Sequence, residues 1–292
     1  MSKGQRRPFH VAAAILLTGA LVALPGECAL AQSEGPQWQR SAPAPEAVPA
    51  VFHSNHVMNL PTAETWQKSM FQFEISHRFL NPLSSGYETF YGLDGPANIR
   101  LGLGWAPTDR TTVTLSRSNL NGSVDLQLKW KLFHGLALGQ KSALALMAGA
   151  AWDTNSPMYE STHHRTWQFY AQAPLNARFG QLALGISPAY VYNSIPESSE
   201  IEHSVTLGMY GQFYVSSLLS FMAEWNLIET GYYYEHHPMA LGIELETGGH
   251  FFKIVFTNTG RMNPSQYLPG TTSDASPDSW QLGFNITRLL KF

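Results

Sequence analysis

The run Val124-Asp125-Leu126-Gln127-Leu128-Lys129-Trp130-Lys131-Leu132 decides the fold. In an extended chain, successive side chains point to opposite faces. Val124, Leu126, Leu128, Trp130 and Leu132 therefore share one face, and Asp125, Gln127, Lys129 and Lys131 share the other. A helix would mix the two sets; a strand separates them into an apolar wall and a charged one. Each face must meet its own solvent.

The same period of two recurs on both sides of this run. It is present in Met70–Leu80, Asn98–Trp105, Thr111–Arg117, Ala143–Trp152, Trp167–Ala173, Gln181–Tyr192, Ser204–Val215, Leu219–Leu227, Met239–Thr247, Phe251–Asn258 and Trp280–Phe292. That makes about 12 strands, with roughly 10–14 possible, each near the length of a tilted transmembrane strand. If the first strand runs outward, the outer connections are 81–97, 118–122, 153–166, 193–203, 228–238 and 259–279. The inner ones are 106–110, 134–142, 174–180, 216–217 and 248–250. Long and short alternate, as in outer-membrane barrels, with one short outer loop and one longish inner turn as exceptions. Trp152, Trp167 and Trp280 fall at outer strand ends and Trp105 and Trp130 at inner ones, where an amphipathic indole favours the headgroup level. Trp225, nearer mid-strand, does not fit.

Composition agrees. Charged residues are 13% of the 292, against roughly 25% in a soluble domain. Mean hydropathy is only −0.15, and no apolar stretch is long enough to cross a bilayer as a helix. Apolar residues diluted by alternation suit an all-β protein, a closed antiparallel transmembrane β-barrel. Closure is required because an unpaired backbone group in hydrocarbon costs several kcal/mol and a closed sheet has no edge. A net charge of −3 makes no case for nucleic acid as a partner.

Three regions are expected. Residues 1–31 read as a signal peptide, with Lys3, Arg6 and Arg7 before the apolar Val11–Leu24 and a small-residue site at Ala29-Leu30-Ala31. Cleavage after Ala31 removes Cys28, the single cysteine; Glu27 argues against lipidation there. Residues 32–68 read as a proline-rich periplasmic linker and lead-in, within which Val51–Lys68 is either lead-in or a plug-like segment. Residues 69–292 form the barrel. Its last strand ends in alternating apolar side chains, Phe284, Ile286, Leu290 and the terminal Phe292. They look like the signal read by the barrel-assembly machinery, although Thr287 stands where that signal often has glycine. Arg288 shares the lipid-facing parity, where it can snorkel to the interface.

The chain also resembles a family of bacterial outer-membrane β-barrel proteins known by a domain-of-unknown-function label. The stretches that carry the resemblance are Ile75–Phe79, Gly92–Leu103, Asp125–Leu132, Glu246–Phe251, Phe256–Thr259 and Gly283–Arg288. The resemblance implies a barrel in the outer membrane and brings no activity, cofactor or catalytic residue.

No catalytic constellation is legible. A lipid-cleaving barrel needs a serine beside a histidine base. His53-Ser54 lies before the barrel and His203-Ser204 at a loop edge, neither with an evident orienting group. His163, His164, His236 and His237 are weak metal candidates in two outer loops, since adjacent residues rarely chelate one ion. No cofactor is expected. Alternation points Glu74, Arg78, Arg100, Asp125, Lys129, Lys131, Glu224, Glu244, Glu246 and Lys253 into the lumen. Gly102, Gly104, Gly185, Gly208 and Gly242 share that parity and make room there. Arg78 and Arg100 either form a positive constriction or are neutralised from across the lumen by Glu224 or Glu244. The lumen is accordingly open and solute-selective, or plugged by its own side chains. The preferred reading is a monomeric, non-enzymatic, porin-like barrel that passes or binds a small solute; the alternative is a closed barrel acting through its outer loops, and a lipid-modifying outer-membrane enzyme ranks third. Its other partners are outer-membrane lipid and the assembly machinery.

Overall fold

The computed structural model describes residues 50–154, 166–198, 200–231 and 234–291. Among these, thirteen strands follow in order: β1 (Met70–Pro82), β2 (Ala97–Thr108), β3 (Thr111–Ser118), β4 (Val124–Ala137), β5 (Gln140–Trp152), β6 (Trp167–Gln172), β7 (Leu175–Phe179), β8 (Leu182–Tyr192), β9 (His203–Tyr214), β10 (Leu219–Thr230), β11 (Met239–Glu246), β12 (His250–Thr257) and β13 (Gln281–Lys291). All pairings are antiparallel, and β13 returns to pair with β1, Met70 opposite Lys291. β6 and β7 both sit between β5 and β8, one above the other, as two halves of one stave. The wall is thus a closed antiparallel barrel of 12 staves. The end where β1 begins and β13 finishes is the near end; the long connections are at the far end.

Two inner turns are shorter than the sequence suggests. The stretch 174–180 is not a turn, because pairing stops only around Pro174, which has no N–H for the ladder. Backbone bonds bridge the gap, Ala145 N–H to the Pro174 carbonyl and Ala173 N–H to the Pro188 carbonyl, each at 3.0 Å. In 134–142, β4 and β5 stay paired as far as Ala137 opposite Gln140. The turn is Leu138-Gly139, with φ of 51° and 75°, the two-residue geometry whose twist matches the flanking strands.

The wall is apolar outside and polar inside. On β4, Leu126, Leu128 and Trp130 are exposed outward, whereas Asp125 and Lys129 are buried. On β1, Phe71 and Phe73 face out and Gln72, Glu74, Ser76 and Arg78 face in. In water so large an apolar surface would drive aggregation; in hydrocarbon it is the solvated face. Among the described residues no helix is long and apolar enough to cross a membrane. Trp152 and Trp167 stack 5.8 Å apart at the far end, and Trp105 and Trp130 are exposed at the near end. Trp225 pairs with Met239, the first residue of β11, because β10 runs on to Thr230. It is therefore level with the far end of its neighbour, which explains its apparent mid-strand position.

Candidate functional site: the filled lumen

Residues 50–68 enter the barrel from the near end rather than hanging below it, so of the two alternatives for Val51–Lys68 the structure has the plug. Val51, Phe52, Val57, Met58, Leu60, Ala63 and Trp66 are all buried. The segment climbs as a narrow hairpin: Thr62 N–H donates to the Asn55 carbonyl at 3.1 Å, and Val57 N–H to the Leu60 carbonyl at 2.9 Å.

The wall residues grip this hairpin through its backbone. Glu224 accepts the amides of Met58, Asn59 and Leu60 at 3.1, 2.9 and 3.0 Å. A tight tip leaves such amides without sheet partners, and a carboxylate is the strongest acceptor available to them. Lys253 donates to Ser54 Oγ and to the carbonyls of His56 and Val57 at 2.8, 2.7 and 2.6 Å, with Glu244 beside it at 3.4 Å. Lys129 donates to the carbonyls of Asn55 and Thr62 at 2.5 and 3.0 Å. Lys131 pairs with Glu64 of the hairpin at 2.9 Å. Arg78 reaches Asn285 at 2.7 Å and Asn59 at 3.2 Å. Around the hairpin, five cations (Arg78, Arg100, Lys129, Lys131, Lys253) meet five carboxylates (Glu64, Glu74, Asp125, Glu224, Glu244).

The wall over β5, β8 and β9 is more apolar. Ala143, Ala145 and Met147 of β5, Ala183, Ala189 and Val191 of β8, and Tyr210 of β9 cluster with Val51, Phe52, Val57 and Leu60. Phe52 packs on Tyr210 at 5.5 Å between ring centroids. Two inward glycines shape the tip's seat. A Cβ at Gly208 would lie 2.7 Å from Leu60 Cδ2, and one at Gly242 would lie 2.7 Å from Met58 Sδ. At the near mouth, Trp66 closes over Ala106 and Phe251.

A second insert comes from the far end. The connection 258–280 folds inward, burying Asn263, Ser265, Tyr267 and Leu268 around a single helical turn, α1 (Pro264–Tyr267). Its contacts run mainly through side-chain amides, one of them with a cation: Arg100 Nε donates to Asn263 Oδ1 at 2.9 Å, Asn226 to the Leu268 carbonyl at 3.0 Å, and Gln266 to the Leu120 carbonyl at 2.9 Å. Between the inserts a cavity of about 50 Å³ remains, lined by His56, Glu74, Arg100, Lys129 and Gln127 among others. That is room for a few water molecules.

His56 is the titratable group at the heart of this site. Trp66 Nε1–H can only donate, and it donates to Gln72 Oε1 at 2.6 Å. Asn55 Nδ2 donates to the same oxygen at 2.8 Å, which turns Asn55 Oδ1 toward His56 Nδ1, also at 2.8 Å. Nδ1 therefore carries the proton. Nε2 faces Glu74 at 3.3 Å without a hydrogen bond. Burial pushes His56 down to about 3, against the pull of Glu74 and with help from Lys253, Arg100 and Lys129. Burial lowers His53 as well.

The residues named from sequence fall as follows. Glu74, Arg78, Arg100, Asp125, Lys129, Glu224, Glu244 and Lys253 are buried in the lumen. Lys131 is half-buried at the near mouth, and Glu246 sits at the end of β11, where it accepts Gly249 N–H at 3.0 Å. Arg100 pairs with Glu74 across adjacent staves at 2.7 Å; with Arg78 held by Asn285 and Asn59, the described residues form no bare positive constriction. Ile286 is exposed on the outer face of β13, which Phe284 and Leu290 share; Phe292 lies outside the described residues. So do His163 and His164. His236 bridges through its backbone to Thr271, and His237 Nδ1 accepts Ile228 N–H at 3.2 Å. Among the described residues no three acidic, histidine or cysteine side chains gather as a metal site. Ser54 Oγ donates to the His56 carbonyl at 2.5 Å and Ser204 Oγ to that of Gly231 at 3.2 Å, so neither hydroxyl is aimed at an imidazole. Asn55, Asn59, Asn263 and Gln266 escaped the sequence reading. The inward parity of β5 and β8 could have pointed to an insert, since an apolar lumen wall needs a cover.

A closed sheet with an apolar exterior and a filled polar interior defines a membrane-spanning barrel of the outer-membrane type. The chain belongs to the membrane-bound beta barrel domain family (DUF5777), whose profile matches residues 52–290. Comparison with curated protein sequences finds no match. Solved structures similar to the chain include the NanC porin, at 10% identity over 76% of this chain and 99% of that one, TM-score 0.48. LpxR from Salmonella typhimurium is 9% identical over 77% and 100%, TM-score 0.34. The Acinetobacter baumannii outer membrane protein Omp33 is 8% identical over 78% and 100%, TM-score 0.38. Likenesses this loose say nothing of activity.

Proposed function

We propose that this protein is a non-enzymatic barrel of the bacterial outer membrane, held shut by its own N-terminal segment and acting through its far-end surface. In this reading it is exported by a signal peptide cleaved after Ala31, inserted by the barrel-assembly machinery and embedded as a monomer in outer-membrane lipid. The observation that carries the proposal is the near insert. Its backbone is bound by buried Glu224, Lys129 and Lys253, groups that would be stranded charges if the segment were absent. A wall that must keep a polypeptide bound to stay satisfied is built to be filled.

A channel that opens when the insert withdraws is the second reading. It is favoured by the fact that every contact described between insert and wall is non-covalent. Planar-bilayer recordings separate the two. Full-length protein is expected to be electrically silent, and a chain lacking residues 50–66 is expected to conduct or to fail to close its barrel. Sustained conductance by the full-length protein at rest would overturn the closed reading.

A further inference from the structure

We infer that the far rim carries a docking site for a basic protein surface, centred on Tyr87, Phe90 and Tyr91 in the connection between β1 and β2. This rests on, and deepens, the reading of a closed barrel that acts through its far end. All three rings are exposed, Tyr87 to 80%, Phe90 to 51% and Tyr91 to 53%. Single exposed apolar side chains are ordinary; three aromatic rings within five residues form a patch.

The loop beneath the rings is firmly built. Tyr91 N–H donates to the Gly86 carbonyl at 2.7 Å, Phe90 N–H to that of Tyr87 at 3.0 Å, and Asp94 N–H to that of Thr89 at 3.1 Å. Leu83 N–H donates to the Trp280 carbonyl at 2.8 Å and Ser84 Oγ to that of Asp278 at 2.9 Å, which ties the loop to the connection before β13. Gly92, at a φ of 91°, sits so close that a Cβ there would overlap the Asn81 carbonyl. On this frame Phe90 and Tyr91 hold φ of 48° and 56°. That left-handed conformation costs a bulky residue free energy, and glycine or asparagine would adopt it more readily. The fold does not recover the cost by burial, since Leu83–Thr89 has no buried residue and both rings face water. Strain kept in order to hold aromatic rings outward points to binding.

Composition says what kind of partner. The run Ser84-Ser85-Gly86-Tyr87-Glu88-Thr89-Phe90-Tyr91 sets rigid aromatic anchors among small polar residues, the make-up of loops that recognise proteins. Charge sets the partner's sign. Glu88, Asp94 and Asp278 are exposed around the rings, and 81–97, 118–123 and 272–280 contain no lysine, arginine or histidine. The bases that border these connections are Arg117, on the outer face of β3, and Arg261, which stacks over the Tyr234 ring at 4.0 Å. Arginine and lysine side chains pack on aromatic faces and pair with carboxylates, so a basic surface meets both features of the patch. A phosphate-rich partner would meet like charge.

The probe is a fluorescent peptide of alternating arginine and serine, with one of alternating glutamate and serine as its counterpart, titrated onto detergent-folded full-length protein. The basic peptide should bind with a Kd below about 1 mM, more weakly as salt rises, and the acidic one should not bind. F90N combined with Y91N should weaken binding about tenfold, a difference of about 1.4 kcal/mol, and E88Q combined with D94N by a similar factor. E200Q combined with E229Q removes the same charge from elsewhere on the rim and should leave binding unchanged. Because asparagine accepts the left-handed backbone, F90N with Y91N should melt no earlier than wild type. The inference is wrong if the basic peptide does not bind, or if the aromatic variant binds it as tightly as wild type. It is equally wrong if E200Q with E229Q weakens binding as much as E88Q with D94N, for then the peptide senses net charge alone. Earlier melting of the aromatic variant would also overturn it, because the rings would then serve the fold. Binding is read without any current, so failure here is separate from failure of the closed barrel.

Discussion

The two inserts that fill this barrel are held by different chemistry. The near one is gripped through its backbone by charged wall groups: Glu224 on three amides, Lys253 and Lys129 on carbonyls. The far one is held mainly by neutral amides, with Asn226, Asn263 and Gln266 reaching carbonyls and hydroxyls. A neutral hydrogen bond contributes about 1 kcal/mol net, whereas stranding a buried charge costs several. The near insert should therefore behave as all-or-none. The far insert should yield contact by contact.

The largest expected effect tests that contrast directly. Glu224→Ala removes the acceptor for three tip amides and one of the carboxylates that balance Arg78, while Lys253 keeps Glu244. It should weaken seating of residues 50–68 by about 3–5 kcal/mol, read as accelerated hydrogen exchange confined to that segment. Protection unchanged in the variant would mean that packing against the apolar wall, not the charge, holds the insert. Acid should act next. His56 is held near 3 in the lumen and returns to about 6.5 once released into water. Its contribution to seating is fully present above about 6.5 and is lost as pH falls toward 3, by about 1.4 kcal/mol per pH unit. Exchange of the near insert should rise from pH 6.5 to 5 by about 2 kcal/mol equivalent, and His56→Asn should flatten the slope; a flat wild-type profile would remove His56 from the account.

Smaller effects belong to the far side and to the seat. Asn263→Ala should cost about 1–2 kcal/mol and loosen 258–271 while leaving 50–68 protected. Loosening of both together would show that the inserts are one cooperative body. Gly208→Ala places a methyl against Leu60 Cδ2, the movable end of a side chain. It should cost about 1 kcal/mol, visible as a shift of the thermal midpoint of the near insert alone; no shift would place the tip deeper than Leu60.

The barrel was legible because every stave repeats the pattern of β4, and that pattern is local. Leu126 and Lys129 can be sorted without knowing their neighbours. Proline 174 misled because it removes one hydrogen bond while leaving the alternation intact, so β7 resumes beyond it. Residues 51–68 were ambiguous for a physical reason. They pack on a charged wall at Asn55 and Asn59 and on an apolar wall at Phe52 and Leu60, so no single period sorts them. The charges of the lumen were legible as inward-facing, but their partners were not. Glu224 finds Met58 only through closure of the ring, 166 residues away in sequence.

The hairpin tip bears on how the barrel comes to exist. Met58 is bonded by Asn285 of the last stave, 227 residues later in the chain, while the first stave begins only a dozen residues after the tip. The segment emerges first and finds its final partners last. The tip therefore has its full set of partners only once β13 has paired with β1. The hairpin then serves as the form around which the staves are laid, and loop-closure entropy is overcome once, by a piece that touches early and late staves together. Chains lacking it should be slow to join their ends.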